Sequence, residues 1–274
     1  MPKISRPTRP LADVNVLSLK DGSNEIVACF MPDIDVLVGE GNSKAFLALD
    51  ASASMKKMYG FGGPFGGDPN YVEIVSRKLG NLLTAVSKSG IVGGIYWAVH
   101  QDGTRIEKFG EYDEESWLKA EISGPKKEKW GRGTKLLPVI KYSIDEISIN
   151  SDWTMGVIIT DGIIEDEKDC IDYCLKIGKE IADKKRKFMK FVLIGIGEEV
   201  DEAQLQRFDD MFEGSGIDCD LWSHGMVSSM QNESDILAVL YGELMKEDDI
   251  VAPKGSVESE NGNVLISWSD GMPG

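Results

Sequence analysis

The chain has 274 residues, 42% apolar and 28% charged, a composition that fits a soluble globular protein of one large or two small domains and excludes a disordered or fibrous one. Forty-six Asp and Glu against 30 Lys and Arg leave a net charge of −16, which repels nucleic acid and anionic membrane and favours cations. No stretch approaches the roughly 18 apolar residues of a membrane-spanning helix. The opening MPKISRPTRP is basic and proline-broken, unlike a secretory signal, and four scattered cysteines predict no disulfide framework. A cytoplasmic, reduced protein is expected.

In chain order, residues 11–19 and 25–30 alternate apolar and polar positions around Asp21-Gly22-Ser23-Asn24, which predicts a hairpin. KAFLALD (44–50) is an apolar run of buried-strand length ending in an acid. Residues 71–89 carry Val72, Val75, Leu79, Leu82, Leu83 and Val86 at helical spacing. Residues 93–110 read as two strands around Asp102-Gly103, and 134–148 as a helix with Pro138 near its first turn. WTMGVIITDG (153–162) is a second buried strand ending in an acid. An amphipathic helix at 167–186, a third apolar strand at 190–197, a helix at 201–212, a strand at 217–222 and a helix at 229–247 complete this region. GSVESENGNVLISW (255–268) places Asn261-Gly262 between two short strands.

Apolar strands joined by helices predict an α/β fold: a doubly wound, mostly parallel sheet with helices on both faces, Rossmann-like. The expected organisation is a β extension over 1–40, the α/β domain over 41–250 and C-terminal strands over 251–274, the two ends pairing as a small terminal sheet. Ligands of such sheets bind at the carboxyl ends of the strands, which directs attention to the residues just after Asp50 and Asp161.

There the chain reads Asp50-Ala51-Ser52-Ala53-Ser54, a D-x-S-x-S pattern at a strand end. Thr134 comes after Trp130-Gly131-Arg132-Gly133 just before a helix, and Thr160-Asp161-Gly162 closes the next buried strand. Two carboxylates and three hydroxyls converging on one sheet edge are hard oxygen donors, suited to Mg²⁺, Mn²⁺ or Ca²⁺ rather than zinc or copper. Over roughly residues 41–250 these motifs resemble the von Willebrand factor A (vWA) domain and its metal-ion-dependent adhesion site. Within that family, the stretch Met55 to Val72 is similar to bacterial members associated with tellurium resistance and stress response. The resemblance implies that Ser52, Ser54 and Thr134 contact the metal directly. Asp50 and Asp161 would then act mainly through water and hydroxyl hydrogen bonds. A first shell of neutral hydroxyls leaves the cation short of negative charge, so it gains by accepting an Asp or Glu carboxylate from a protein partner.

Other signals are weaker. The loop GFGGPFGGDP (60–69) fits no phosphate-binding glycine pattern. It reads as a segment over the metal or a plain surface loop, with Phe61 and Phe65 available to a partner, as is Trp130, which abuts the loop bearing Thr134. Cys170 and Cys174, remote Cys29 and Cys219, and the histidines His100 and His224 lack zinc-site spacing. The basic clusters 126–129 and 184–187 read as solvated surface. The expected function is therefore a non-enzymatic intracellular binding module without catalytic residues, in which a divalent cation recruits an acidic side chain of a protein partner. A tellurite or stress-response assembly is the implied setting. Two alternatives stand beside it: a metal-assisted phosphohydrolase with Asp50 as nucleophile, and a structural subunit whose terminal strands serve assembly into an oligomer or larger complex.

Overall fold

A computed structural model describes residues 11–18, 24–30, 41–62, 69–197, 199–227, 250–252, 255–259, 261–269 and 272–273. The chain divides into two compact units, Gly41–Leu240, and Met1–Glu40 together with Tyr241–Gly274. In the latter, β1 (Leu11–Ser18) pairs antiparallel with β2 (Asn24–Phe30), from Leu11 opposite Phe30 to Ser18 opposite Asn24. The residues turning between them lie outside the described ones.

The larger unit is built on a six-stranded sheet. It comprises β3 (Ser43–Asp50), β4 (Val92–Val99), β5 (Arg105–Tyr112), β6 (Trp153–Thr160), β7 (Phe188–Ile196) and β8 (Trp222–Val227), in the order β5-β4-β3-β6-β7-β8. All neighbours are parallel except β5, which returns antiparallel beside β4 through the predicted Asp102-Gly103 turn. Counted within the sheet this is the 3-2-1-4-5-6 order of Rossmann-like folds. β3 and β6, neighbours at the centre of this order, end at the carboxyl edge where open α/β sheets generally bind their ligands. Asp50 ends β3 and Thr160 ends β6.

The helices are α1 (Tyr71–Val86), the short α2 (Glu114–Trp117), α3 (Leu137–Tyr142), α4 (Glu167–Ala182) and α5 (Glu202–Asp209). α1 starts where the Asn70 side chain accepts the Glu73 N–H at 2.9 Å, and it buries Val72, Val75, Leu79, Leu83 and Val86. It contacts β3 and β4. Gly80 is required there because a Cβ would stand 2.1 Å from the Trp117 ring. Phe46, Ala48, Trp97, Ile158, Phe191 and Leu193 share one core with Val139, Ile140, Cys170, Cys174, Leu205 and Phe208 from α3, α4 and α5. Leu47, Leu49, Val157 and Ile159, on alternate positions of β3 and β6, are equally buried. Burial on both faces explains why these strands are apolar throughout.

Some boundaries differ from the sequence pattern. The helix expected over 134–148 begins only at Leu137, with Pro138 in its first turn as expected, and passes into a π-helical turn at Ser143–Ile147. The strand expected at 217–222 runs instead from Trp222 to Val227, in register with β7 from Phe191 opposite Trp222. Ser223, His224 and Gly225 hide it as polar or small residues, while Ile217–Leu221 form an irregular approach to it. His224 accordingly lies within this strand, where it meets Asp209 at 2.7 Å. The helix expected over 229–247 lies outside the described residues.

At the C-terminal end, β10 (Gly255–Glu258) and β11 (Val264–Trp268) form the hairpin predicted around Asn261-Gly262, with Gly262 at φ 79°. β9 (Ile250–Ala252) pairs with β12 (Met272–Pro273). Among the described residues each of these, and β1 with β2, is a separate two-stranded ladder. The shared sheet expected between the two chain ends is not among them. No described helix is long and apolar enough to cross a membrane.

Candidate metal centre

Asp50 is fully buried at the end of β3, and both of its carboxylate oxygens are occupied. Oδ1 accepts the Ser52 N–H at 2.7 Å, and Oδ2 accepts the Thr160 hydroxyl at 2.8 Å. The buried Tyr59 hydroxyl donates to its backbone carbonyl at 3.1 Å. These contacts fold the Asp50–Ser54 turn over the strand ends. From there a chain of oxygens runs outward: Ser52 Oγ lies 2.9 Å from Ser54 Oγ, and Ser54 Oγ donates to Asp161 Oδ1 at 2.9 Å. Ser52 is buried and Ser54 is exposed, so the chain leads from the interior to solvent.

Thr134 arrives on a separate loop that is fixed at several points. Trp130 bridges to Val99 and Gly131 to Ser52, inserting this segment between the ends of β3 and β4. The Gly131 N–H donates to the Ala51 carbonyl at 3.1 Å, and the Ala53 N–H donates to the Gly131 carbonyl at 2.8 Å. A Cβ at Gly131 would stand 1.8 Å from the Ala98 carbonyl oxygen, so only glycine permits this approach. Beyond Thr134, the Asp166 carboxylate accepts the N–H groups of Leu136 and Leu137 at 2.8 and 3.0 Å, and the Glu165 N–H donates to the Thr134 carbonyl at 2.9 Å. The loop is thereby tied to the segment just after Asp161. Thr134 is buried, yet among the described residues its hydroxyl has no hydrogen-bond partner. It faces the Asp161-Gly162 turn, 3.5 Å from where a Gly162 Cβ would lie.

The electrostatics are those of acids without a counter-charge. Burial, and then the charge of Asp161, pushes Asp50 up to about 7, against the pull of its bonds from Ser52 and Thr160. Burial also raises Asp161, with Glu199 adding to it and the Ser54 hydroxyl opposing it. Neither acid is in an ion pair among the described residues.

These residues fit a hard cation. Adjacent ligands of an octahedral Mg²⁺, with bonds near 2.1 Å, stand about 3 Å apart. That is the spacing from Ser52 Oγ to Ser54 Oγ, while Asp161 holds Ser54 from behind. The unpartnered Thr134 hydroxyl supplies a further oxygen, and buried Asp50 and half-buried Asp161 supply the negative charge. Among the described residues no three His, Cys, Asp or Glu side chains gather into a ligand set, so a metal centre here depends on hydroxyls. Cys170 and Cys174 are buried core thiols whose ionisation burial suppresses.

Of the aromatic side chains expected near the site, Phe61 and Trp130 come together, edge to face at 5.8 Å, with Tyr59 against Trp130 at 5.0 Å. Phe61 is 59% exposed. Phe65 lies outside the described residues. The sequence pattern included Thr160 in a motif but gave it no role of its own, and it did not reveal Asp166, Tyr59 or Glu107. Buried Glu107, on β5, accepts the N–H groups of Lys126, Lys127 and Glu128 at 2.8, 2.9 and 2.7 Å, and so holds the loop leading to Trp130. That loop, read from the sequence as solvated surface, is anchored from beneath.

No family model matches the chain, and no curated protein matches it. Among solved structures it is similar to the PilB minor pilin from Streptococcus sanguinis, with 12% identity, 82% of this chain and 67% of the pilin covered, and a TM-score of 0.45. A point mutant of that pilin gives the same identity and TM-score over 75% of this chain and 63% of its own. The conserved hypothetical protein BatB from Bacteroides thetaiotaomicron is 13% identical over 74% of this chain and 98% of its own, with a TM-score of 0.39.

Proposed function

We propose that Gly41–Leu240 is a doubly wound, vWA-like binding module. In this reading it holds Mg²⁺, or Mn²⁺ or Ca²⁺, through Ser52, Ser54 and Thr134, with Asp50 and Asp161 behind them, and recruits an acidic side chain of a protein partner. The observation that carries the reading is the hydrogen-bonded chain from buried Asp50 through the Ser52 N–H and the Ser52 and Ser54 hydroxyls to Asp161, at the carboxyl ends of β3 and β6. When bound, the cation would supply a positive charge that neutral hydroxyls leave partly unmet and that an external carboxylate can complete. Each protein group has a task in this scheme. Asp50 orients Ser52 through the backbone N–H and keeps Thr160 turned inward. Asp161 holds Ser54. Asp166 fixes the amides after Thr134, so that its hydroxyl is kept at the site without occupying a ligand position itself.

The same geometry weighs against Asp50 as the nucleophile of a phosphohydrolase. Both of its oxygens are engaged and the side chain is fully buried, whereas a nucleophile needs a lone pair within reach of substrate. Isothermal titration with Mg²⁺ and Mn²⁺ tests the binding reading. We expect saturable binding in the wild-type chain and a loss of affinity of at least tenfold in Asp161→Ala and in Thr134→Ala. Unchanged affinity in both variants would remove the proposal. The tellurium and stress-response setting rests on the similarity of Met55 to Val72 alone.

A further inference from the structure

Beside the oxygen chain lies a cleft of about 480 Å³ whose wall includes Ala53, Lys56, Lys129, Trp130 and Arg132. It adjoins the candidate cation site directly. Ala53 sits between Ser52 and Ser54, and Arg132 lies on the anchored loop two residues before Thr134. Its three cations are exposed, and none is in an ion pair among the described residues. Lys56 instead rests over the Trp130 ring at 5.8 Å. The carboxylate in the wall, Glu128, is already matched with Arg105 at 3.0 Å. In a chain of net charge −16, three unneutralised cations at one cleft run against the composition.

The backbone beneath them is fixed. Glu107 clamps Lys126–Glu128, the His100 N–H donates to the Lys129 carbonyl at 2.7 Å, and bridges at Trp130 and Gly131 hold the rest. The anchored loop places Lys129 and Arg132, and the Ser54–Lys57 turn places Lys56, beside a metal-type site, where they favour a second anion that arrives together with the first. An extended polyanion such as nucleic acid would meet the chain's overall negative field, which a short acidic segment largely avoids.

We infer that the partner presents an acidic peptide segment bearing two carboxylates, one for the cation site and a second for the Lys56–Lys129–Arg132 cleft. This rests on the adhesion reading above and adds to it the class of ligand. The test uses the full chain and two blocked, fluorescently labelled glycine peptides, one with a single Asp and one with a Glu added a few positions after it. Anisotropy is followed in excess Mg²⁺ and in EDTA. The two-acid peptide is expected to bind about five- to tenfold more tightly in Mg²⁺. That advantage should shrink at high salt and vanish in Lys129→Ala/Arg132→Ala, while Lys129→Arg keeps it. Single-acid binding should persist in all of these variants. Equal, Mg²⁺-dependent affinities for the two peptides would overturn the second-carboxylate inference and leave the adhesion reading standing. Binding indifferent to Mg²⁺ and EDTA would overturn both. A short single-stranded oligonucleotide that binds as tightly as the two-acid peptide would overturn the assignment to a peptide.

Discussion

Asp50 carries the largest electrostatic cost of the site. In the unfolded chain its carboxyl ionises in the ordinary range near 4, whereas in the folded chain burial and Asp161 push it up to about 7. The folded state therefore binds the proton more tightly between these values, and stability from this group falls as pH rises through that window. The full loss is on the order of 4 kcal/mol. An Asp50→Asn side chain can still accept from Ser52 N–H and donate to Thr160 Oγ1, while carrying no charge. Without metal, Asp50→Asn is thus expected to be more stable than wild type at pH 8 by a few kcal/mol, by about 1–2 kcal/mol at pH 5, and equal to it only below about pH 4, as read by urea unfolding. Added Mg²⁺ should stabilise wild type at pH 8, progressively less toward pH 5, and leave the variant unmoved. A variant less stable than wild type at pH 8 in EDTA would contradict this. The side chains expected at the site were read from element boundaries: Asp50, Ser52 and Ser54 within five positions of one strand end, Thr134 just before a helix and Asp161 at the end of the next buried strand. Thr160 and Asp166 act through hydrogen bonds to elements far away in sequence, so the pattern that contains Thr160 does not reveal its bond to Asp50, and nothing local marks Asp166.

At the level of elements, the site depends on loops clamped to strand ends. Glu107 illustrates both the device and its invisibility. In the strand RIEKFGEY it looks like Glu111, yet Glu107 is buried under three backbone N–H groups and Glu111 is exposed. A Glu107→Gln side chain offers a single carbonyl oxygen where the loop needs two acceptor atoms. It is expected to cost about 1–3 kcal/mol and to speed amide hydrogen exchange at Lys126–Glu128, with β6 and β7 unaffected. Uniform exchange across both regions would argue against a local clamp. The strands themselves were legible to different degrees for one reason. β3, β6 and β7 are buried on both faces and read as continuous apolar runs, whereas β8 interrupts its run with Ser223, His224 and Gly225, and the pattern slipped to the apolar approach before it.

For the whole molecule, the sheet order places the ends of β3 and β6 side by side at its centre, and the Thr134 loop reaches the same edge from its insertion between the ends of β3 and β4. All five oxygen-bearing side chains belong to the Gly41–Leu240 unit. A chain trimmed to Gly41–Leu240 is therefore expected to retain the Mg²⁺ affinity of the full protein to within a few-fold, by calorimetry. If trimming abolishes binding, the terminal segments take part in the site. The trimmed and full chains compared by size exclusion would also show whether the ends serve assembly, since the structural alternative requires the oligomeric state to change. The proposed site requires side chains spread over more than a hundred positions to converge on one hard cation. Anomalous diffraction from crystals soaked in Mn²⁺ would locate that cation without relying on affinity. A single strong peak is expected, bonded to the hydroxyls of Ser52, Ser54 and Thr134, with Asp50 and Asp161 behind them. No peak at that edge, or a peak bound elsewhere, would contradict it.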